Sequence, residues 1–228
     1  MKVAFITGAS RGFGAALADE LNARGWTLIV DARHEDALAE AAERWQNAFA
    51  IAGDISEPAH RDELARAVHR LGRLDVLVNN ASLLGPSPQP TLDRYPIGVL
   101  ASVYDVNVFA PLALTQLVLP ELKASGGIVV NVTSDAGVEP YEGWGGYGSS
   151  KAALDQLTAI LGAENPTIAA YAFDPGDMRT QMHQDAFPGE DISDRPPPEE
   201  SVPGLLELIG GHLPSGRYRA RELTPVHA

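Results

Sequence analysis

Apolar residues along this chain fall into short, nearly unbroken runs separated by longer amphipathic ones. "KVAFIT", "WTLIVD", "AFAIAG", "LDVLVN", "GIVVNVTS" and "TIAAYAF" have the length and β-branched content of strands covered on both faces. Between them "GAALADELNARG" and "PAHRDELARAVHRLG" carry helical spacing and end at glycine or basic residues. Strand alternating with helix predicts a parallel sheet with right-handed crossovers. "GRYRARELT" extends the pattern to a seventh, more polar strand. The expected fold is α/β: one doubly wound, Rossmann-like sheet of about seven strands, helices on both faces, in a single domain over residues 1–228. One stretch breaks the pattern. Residues 181–203 are rich in proline and acid and poor in strand formers, which predicts either a lid over a pocket, reaching to about residue 211, or an insertion without order.

Composition narrows the function. A hydrophobic share of 45% and a charged share of 21% fit a globular domain. No unbroken apolar run has the length needed to cross a bilayer, so no membrane role is expected. The N-terminal "MKVAFITGAS" has too short an apolar core for a signal peptide and runs straight into a glycine loop. Without cysteine there is neither disulfide nor thiolate chemistry, which fits the cytoplasm. A net charge of −13 argues against nucleic-acid partners. The histidines 34, 60, 69, 183, 212 and 227 show no metal-ligand spacing, so no metal site is expected.

Directly after the first strand comes "TGASRGFGAALADEL". Gly8, Gly12 and Gly14 fall at the strand-to-helix turn, where missing side chains let backbone approach a pyrophosphate. The helix N-terminus behind them offers free N–H groups and the positive end of a dipole. A glycine pattern alone is a weak signal; in a complete βαβ setting it points to a dinucleotide.

"GYGSSK" places Tyr147 and Lys151 four residues apart, on one helix face. Reducing a ketone by hydride transfer builds negative charge on oxygen, so a proton donor is required. Tyrosine can serve, but its ordinary pKa of about 10 leaves little phenolate for the reverse direction. A cation roughly 5 Å away at an effective dielectric near 20 contributes about 3 kcal/mol, or about two pKa units. The bland reading is a chance pair on a wet helix face. Six tyrosines and three lysines in 228 residues give about 0.08 such pairs by chance, so the motif needs company.

That company is present, and in order. "LVNNAS" supplies Asn79, Asn80 and Ala81, "YDVNVFA" Asn107, "IVVNVTS" Ser134, and "DPGDMRT" Pro175, Gly176 and Thr180. Together with the TGxxxGxG loop, these motifs resemble the short-chain dehydrogenase/reductase family over residues 1 to about 180. The resemblance implies an oxidoreductase interconverting a carbonyl and an alcohol. In it Tyr147 acts as acid or base, Ser134 holds the substrate oxygen, Lys151 tunes Tyr147 and grips the nicotinamide ribose, and Asn107 anchors a water-linked proton path. It further implies a cofactor held by Gly8, Ser10, Arg11, Gly12, Phe13, Gly14, Arg33, Asp54, Ile55, Asn80, Ala81, Tyr147, Lys151, Pro175, Gly176, Met178 and Thr180. The helices carrying "VYDVNVFAPLALTQLVLPELK" and "YGSSKAALDQLTAILG" would pair subunits into a homodimer or homotetramer. A dinucleotide-binding regulator that had lost turnover is the rival; loss of Ser134, Tyr147 or Lys151 would have favoured it, and all three are present.

NADP(H) is the expected cofactor, with NAD(H) the other candidate. Ala32 stands where NAD-selecting relatives place an acid, Arg33 follows it, and Arg11 is a second basic position. Asp31 is one residue early and, by strand alternation, faces the other way. Two positions depart from the family pattern: Ser82 replaces a usual glycine, and Asp174 a usually uncharged residue. With Asp135, Glu142 and Asp177, Asp174 is expected to give the pocket an acidic rim.

Overall fold

The computed structural model describes residues 1–211 and 213–223. His212, Thr224 and His227, which enter the sequence reading above, lie outside the described residues. The order is β1 (Val3–Ile6), α1 (Gly12–Ala23), β2 (Thr27–Ala32), α2 (Glu35–Ala42), β3 (Ala48–Ala52), α3 (Pro58–Leu71), β4 (Val76–Asn79), α4 (Ile97–Tyr104) and α5 (Ala110–Ser125). There follow β5 (Ile128–Val132), α6 (Gly145–Glu164), β6 (Ala169–Asp174), α7 (Gln181–Ala186), α8 (Val202–Ile209), β7 (Gly216–Arg219) and α9 (Ala220–Leu223). All strands are parallel, in the order β3-β2-β1-β4-β5-β6-β7. The strand order reverses between β1 and β4, and a parallel sheet opens its ligand crevice at that reversal, beyond the strands' C-terminal ends.

Side chains alternate between two cores because strand period is two. Ala4, Ile6, Leu28, Val30, Val76, Val78, Val130 and Val132 pack on one face with α1, α2 and α8. Val3, Phe5, Ile29, Leu77 and Val129 pack on the other with α3 and α5. Asp31 shares the second face with Ile29, as alternation predicts. Trp26 is 8% exposed and belongs to the first core.

Three sequence expectations need correction. The "GRYRARELT" strand spans only Gly216–Arg219 and turns helical at Ala220. Residues 181–203 are less irregular than their composition suggests: α7, a 3-10 turn at Pro198–Ser201 and the start of α8 fall within them. The segment contributes Met182, His183 and Ala186 to the cleft wall. Finally, α4, a wider π turn at Asp105–Phe109 and α5 run on as one largely apolar helix from Ile97 to Ser125, much of it unburied. By length and composition it could span a bilayer. Polar residues and Pro111 and Pro120 interrupt the apolar run in sequence but not the helix in space.

Candidate active site

A cleft of about 550 Å³ lies over the C-terminal ends of the central strands. Every residue expected to meet a cofactor lines it except Gly14, and so do Ser134, Tyr147 and Lys151. Gly14 acts from behind. A Cβ there would meet the Gly8 carbonyl oxygen at 2.5 Å and Asn80 Nδ2 at 2.6 Å, so any side chain would push α1 off the loop. Asn80 braces that loop, donating to the Thr7 and Gly8 carbonyls at 2.9 and 3.0 Å. Thr7 Oγ1 accepts from the Asn80 and Ala81 amides at 3.0 and 2.9 Å. At the start of α1 no side chain caps the helix and the first turn holds no acid, which leaves its N–H groups and dipole for an anion. These features fit a dinucleotide pyrophosphate.

At the adenosine end, Asp31 is 1% exposed and fully engaged. The Gly8 amide donates to its Oδ1 at 2.9 Å, and His60 Nε2, from α3, stands 3.2 Å from its Oδ2. Burial raises the Asp31 pKa, against the pull of His60 and Gly8. Arg33 is exposed at the edge of the cleft, and its charge helps to hold the Asp54 carboxyl below the usual range, together with hydrogen bonds from Ser56. Arg11 is exposed beside the glycine loop.

At the other end, α6 brings Tyr147 and Lys151 to the cleft because Gly148 lets the helix approach the turn after β5. A Cβ at that position would meet the Ala136 carbonyl oxygen at 2.5 Å. Lys151 Nζ lies 5.3 Å from the centre of the Tyr147 ring and donates to the Val132 carbonyl at 2.8 Å. Burial pushes Lys151 down to about 8, partly offset by the Asp155 charge. Burial likewise drives the Tyr147 phenol far above its ordinary range, opposed by a hydrogen bond with Ser82 and reinforced by the Asp174 and Asp135 charges. This corrects the expected lowering by Lys151: burial outweighs the nearby ammonium, and the phenol holds its proton. Ser134 Oγ accepts from the Ala136 amide at 3.2 Å and donates to Asp135 Oδ1 at 3.0 Å.

Asn107 is placed differently. It is fully buried in the π turn and does not line the cleft. Its Oδ1 accepts from the Leu83 amide at 2.8 Å and from Ser82 Oγ at 3.1 Å. Its Nδ2 donates to the Leu83 carbonyl at 2.9 Å and to Ser150 Oγ at 3.0 Å. The amide thus joins the loop after β4 to α6 beside Lys151. The extra residue of a π turn is what aims it inward.

Sequence reasoning missed the aromatic wall. Trp144 meets Tyr147 edge-on at 5.8 Å and Phe187 at 5.9 Å, with His183 against Phe187 at 4.9 Å. Ser82 was visible as a departure but not as a partner of Asn107. Of the acidic rim, Asp135, Asp174 and Asp177 line the cleft, whereas Glu142 does not. Among the described residues no cluster of metal ligands is present.

The chain matches the short chain dehydrogenase family over residues 2–191. It is 33% identical over 199 residues to sepiapterin reductase of Mus musculus, a match covering 80% of this chain and 76% of that one. Its fold superposes on a short chain dehydrogenase from Pseudomonas syringae with a TM-score of 0.91 at 32% identity, covering 96% and 94% of the two chains. A short chain dehydrogenase from Shigella flexneri complexed with NADP gives 0.88 at 27% identity, covering 96% and 97%. With its parallel sheet, glycine loop and Ser–Tyr–Lys cleft, the chain belongs to the short-chain dehydrogenase family of oxidoreductases.

Proposed function

We propose that this oxidoreductase interconverts a ketone or aldehyde and its alcohol, with NADP(H) as cofactor and Tyr147 as the acid or base. The observation that carries the reading is the meeting of Ser134, Tyr147 and Lys151 in one cleft with the glycine loop. The nicotinamide, when bound, supplies or accepts the hydride. The glycine loop and the α1 N-terminus would hold its pyrophosphate, and Lys151 its ribose. In reduction Tyr147 donates its proton to the substrate oxygen as charge builds there, and Ser134 steadies that oxygen with a hydrogen bond. In oxidation the phenolate takes the proton back, favoured by the ammonium of Lys151. Trp144, edge-on to Tyr147 in the cleft wall and backed by Phe187, would help to keep water from the reacting oxygen.

NADP is supported by the buried engagement of Asp31, the small Ala32 and the exposed Arg33. The solved relative from Shigella flexneri carries NADP. A chain without cysteine fits a reducing compartment, and we assign it to the cytoplasm. The test is oxidation of NADPH, followed at the reduced nicotinamide absorbance, with a panel of ketones and aldehydes. Substrate-dependent oxidation is expected; cofactor binding without turnover across the panel would contradict the reading.

A further inference from the structure

β7, which carries Arg217 and Arg219, is the most polar strand of the sheet. Arg217 Nε donates to Asp155 Oδ2 at 3.0 Å. One terminal nitrogen donates to the Ser134 backbone carbonyl and to Asp174 Oδ2, each at 3.0 Å. Asp155 stands one helical turn beyond Lys151 on α6, and its charge acts on Lys151. Asp174 ends β6, lines the cleft and acts on Tyr147. Arg219 Nε reaches only to 3.7 Å from the same Asp174 oxygen. One guanidinium thus touches the backbone of the catalytic serine, the carboxylate behind the lysine and the carboxylate facing the tyrosine.

The side chains of Asp155 and Asp174 are 16% and 6% exposed, so water screens them poorly. Paired with Arg217, they carry a partly offset charge, and Arg219 adds a second, more distant cation at Asp174. Unpaired, they would raise the proton affinity of every titratable neighbour. Three acceptors in different directions suit a rigid guanidinium fork better than a single ammonium. Asp174 is also the position where this chain carries an acid in place of the family's uncharged residue, and Arg217 is its partner.

We propose that Arg217 is a positioning residue of the active site, fixing the Ser134 backbone and damping the charges that Asp155 and Asp174 exert on Lys151 and Tyr147. The kinetic part of the test rests on the carbonyl-reduction reading; the titration part does not.

With three lysines in the chain, NMR of lysine labelled at Cε can follow Lys151 without turnover. Arg217→Met is expected to raise the Lys151 midpoint by about one unit or more. The same variant should move the pH dependence of kcat for alcohol oxidation to higher pH. Arg217→Lys keeps the charge but not the fork, so both midpoints should stay while KM rises. Asp174→Asn in the Arg217→Met background should return the kcat profile toward wild type. Where Arg217→Met does not fold, Arg217→Gln, which keeps hydrogen-bond donors without the charge, makes the same test. A folded charge-removing variant with an unchanged Lys151 midpoint overturns the proposal. So does a kcat lowered equally at every pH, the mark of structural damage alone. A wild type that turns over no carbonyl contradicts the proposed function instead, and the lysine titration still decides the role of Arg217.

Discussion

The backbone N–H of Gly8 donates to the Asp31 carboxylate at 2.9 Å, tying the glycine loop to the end of β2. With His60 on its other oxygen, this acid is already engaged within the protein even though it lines the cleft. On the proposed NADP reading, selection between cofactors falls to Ala32 and Arg33. Wild type is expected to prefer NADPH in kcat/KM. Arg33→Ala should lower kcat/KM for NADPH by about 1.5–3 kcal/mol, roughly ten- to a hundredfold, with NADH little changed. Asp31→Ala should lower stability by about 1–3 kcal/mol, through the orphaned Gly8 amide, rather than invert preference. A wild type that prefers NADH, shifted toward NADPH by Asp31→Ala, would make Asp31 the selector.

Ser134 has one hydroxyl proton, and Asp135 holds it. A substrate oxygen must win that proton before the serine can steady it. Asp135→Ala is expected to lower KM for carbonyl substrates by roughly fivefold, about 1 kcal/mol. Because the Asp135 charge also raises the Tyr147 pKa, the oxidation profile should move to lower pH. Steady-state kinetics across pH checks both; a raised KM would show that Asp135 presents the serine rather than restrains it.

Lys151 links stability to pH. Its folded pKa is lowered to about 8 from 10.5, so between those values the unfolded chain holds a proton that the folded chain has released. The Lys151 contribution to stability therefore rises with pH across that window, and its penalty is full below about 8. Lys151→Met lacks the penalty. Its melting temperature relative to wild type is expected to be highest near pH 7 and to fall by about pH 10. A difference independent of pH would mean that the ammonium is not buried in solution.

Ile97, Phe109 and Ile160 are 76%, 56% and 42% exposed, all on the long helix and α6. Apolar side chains this open on adjacent helices suit a subunit interface, and we propose a homodimer or homotetramer. Light scattering should give two or four times 24.2 kDa, reduced by Phe109→Glu. A monomer at micromolar concentration would contradict it.

Much of this was legible in the sequence, and the rest was hidden for physical reasons. The strands were readable because burial on both faces leaves an unbroken apolar signature, as at "LDVLVN". The glycine loop, Ser134, Tyr147 and Lys151 were readable because their chemistry fixes both residue type and spacing. Arg217 was not, since an arginine in a polar strand carries no sign of what it will reach across three elements. The interior chain from Asn79 to Asn131 to Thr158 was hidden likewise: hydrogen bonds of 2.8 Å between β4, β5 and α6 depend on register, which residue types do not encode. The 181–203 segment misled because helices as short as α7 leave no periodic pattern to count.

The central claim is that Tyr147 transfers the proton. The direct measurement is carbonyl-dependent oxidation of NADPH by wild type and Tyr147→Phe, with the cofactor dissociation constant of each taken by calorimetry. Loss of turnover by about 10²–10⁴-fold is expected, with cofactor affinity changed by no more than a few fold, because only the proton donor is gone. Substantial turnover in Tyr147→Phe would place the acid elsewhere and contradict the account.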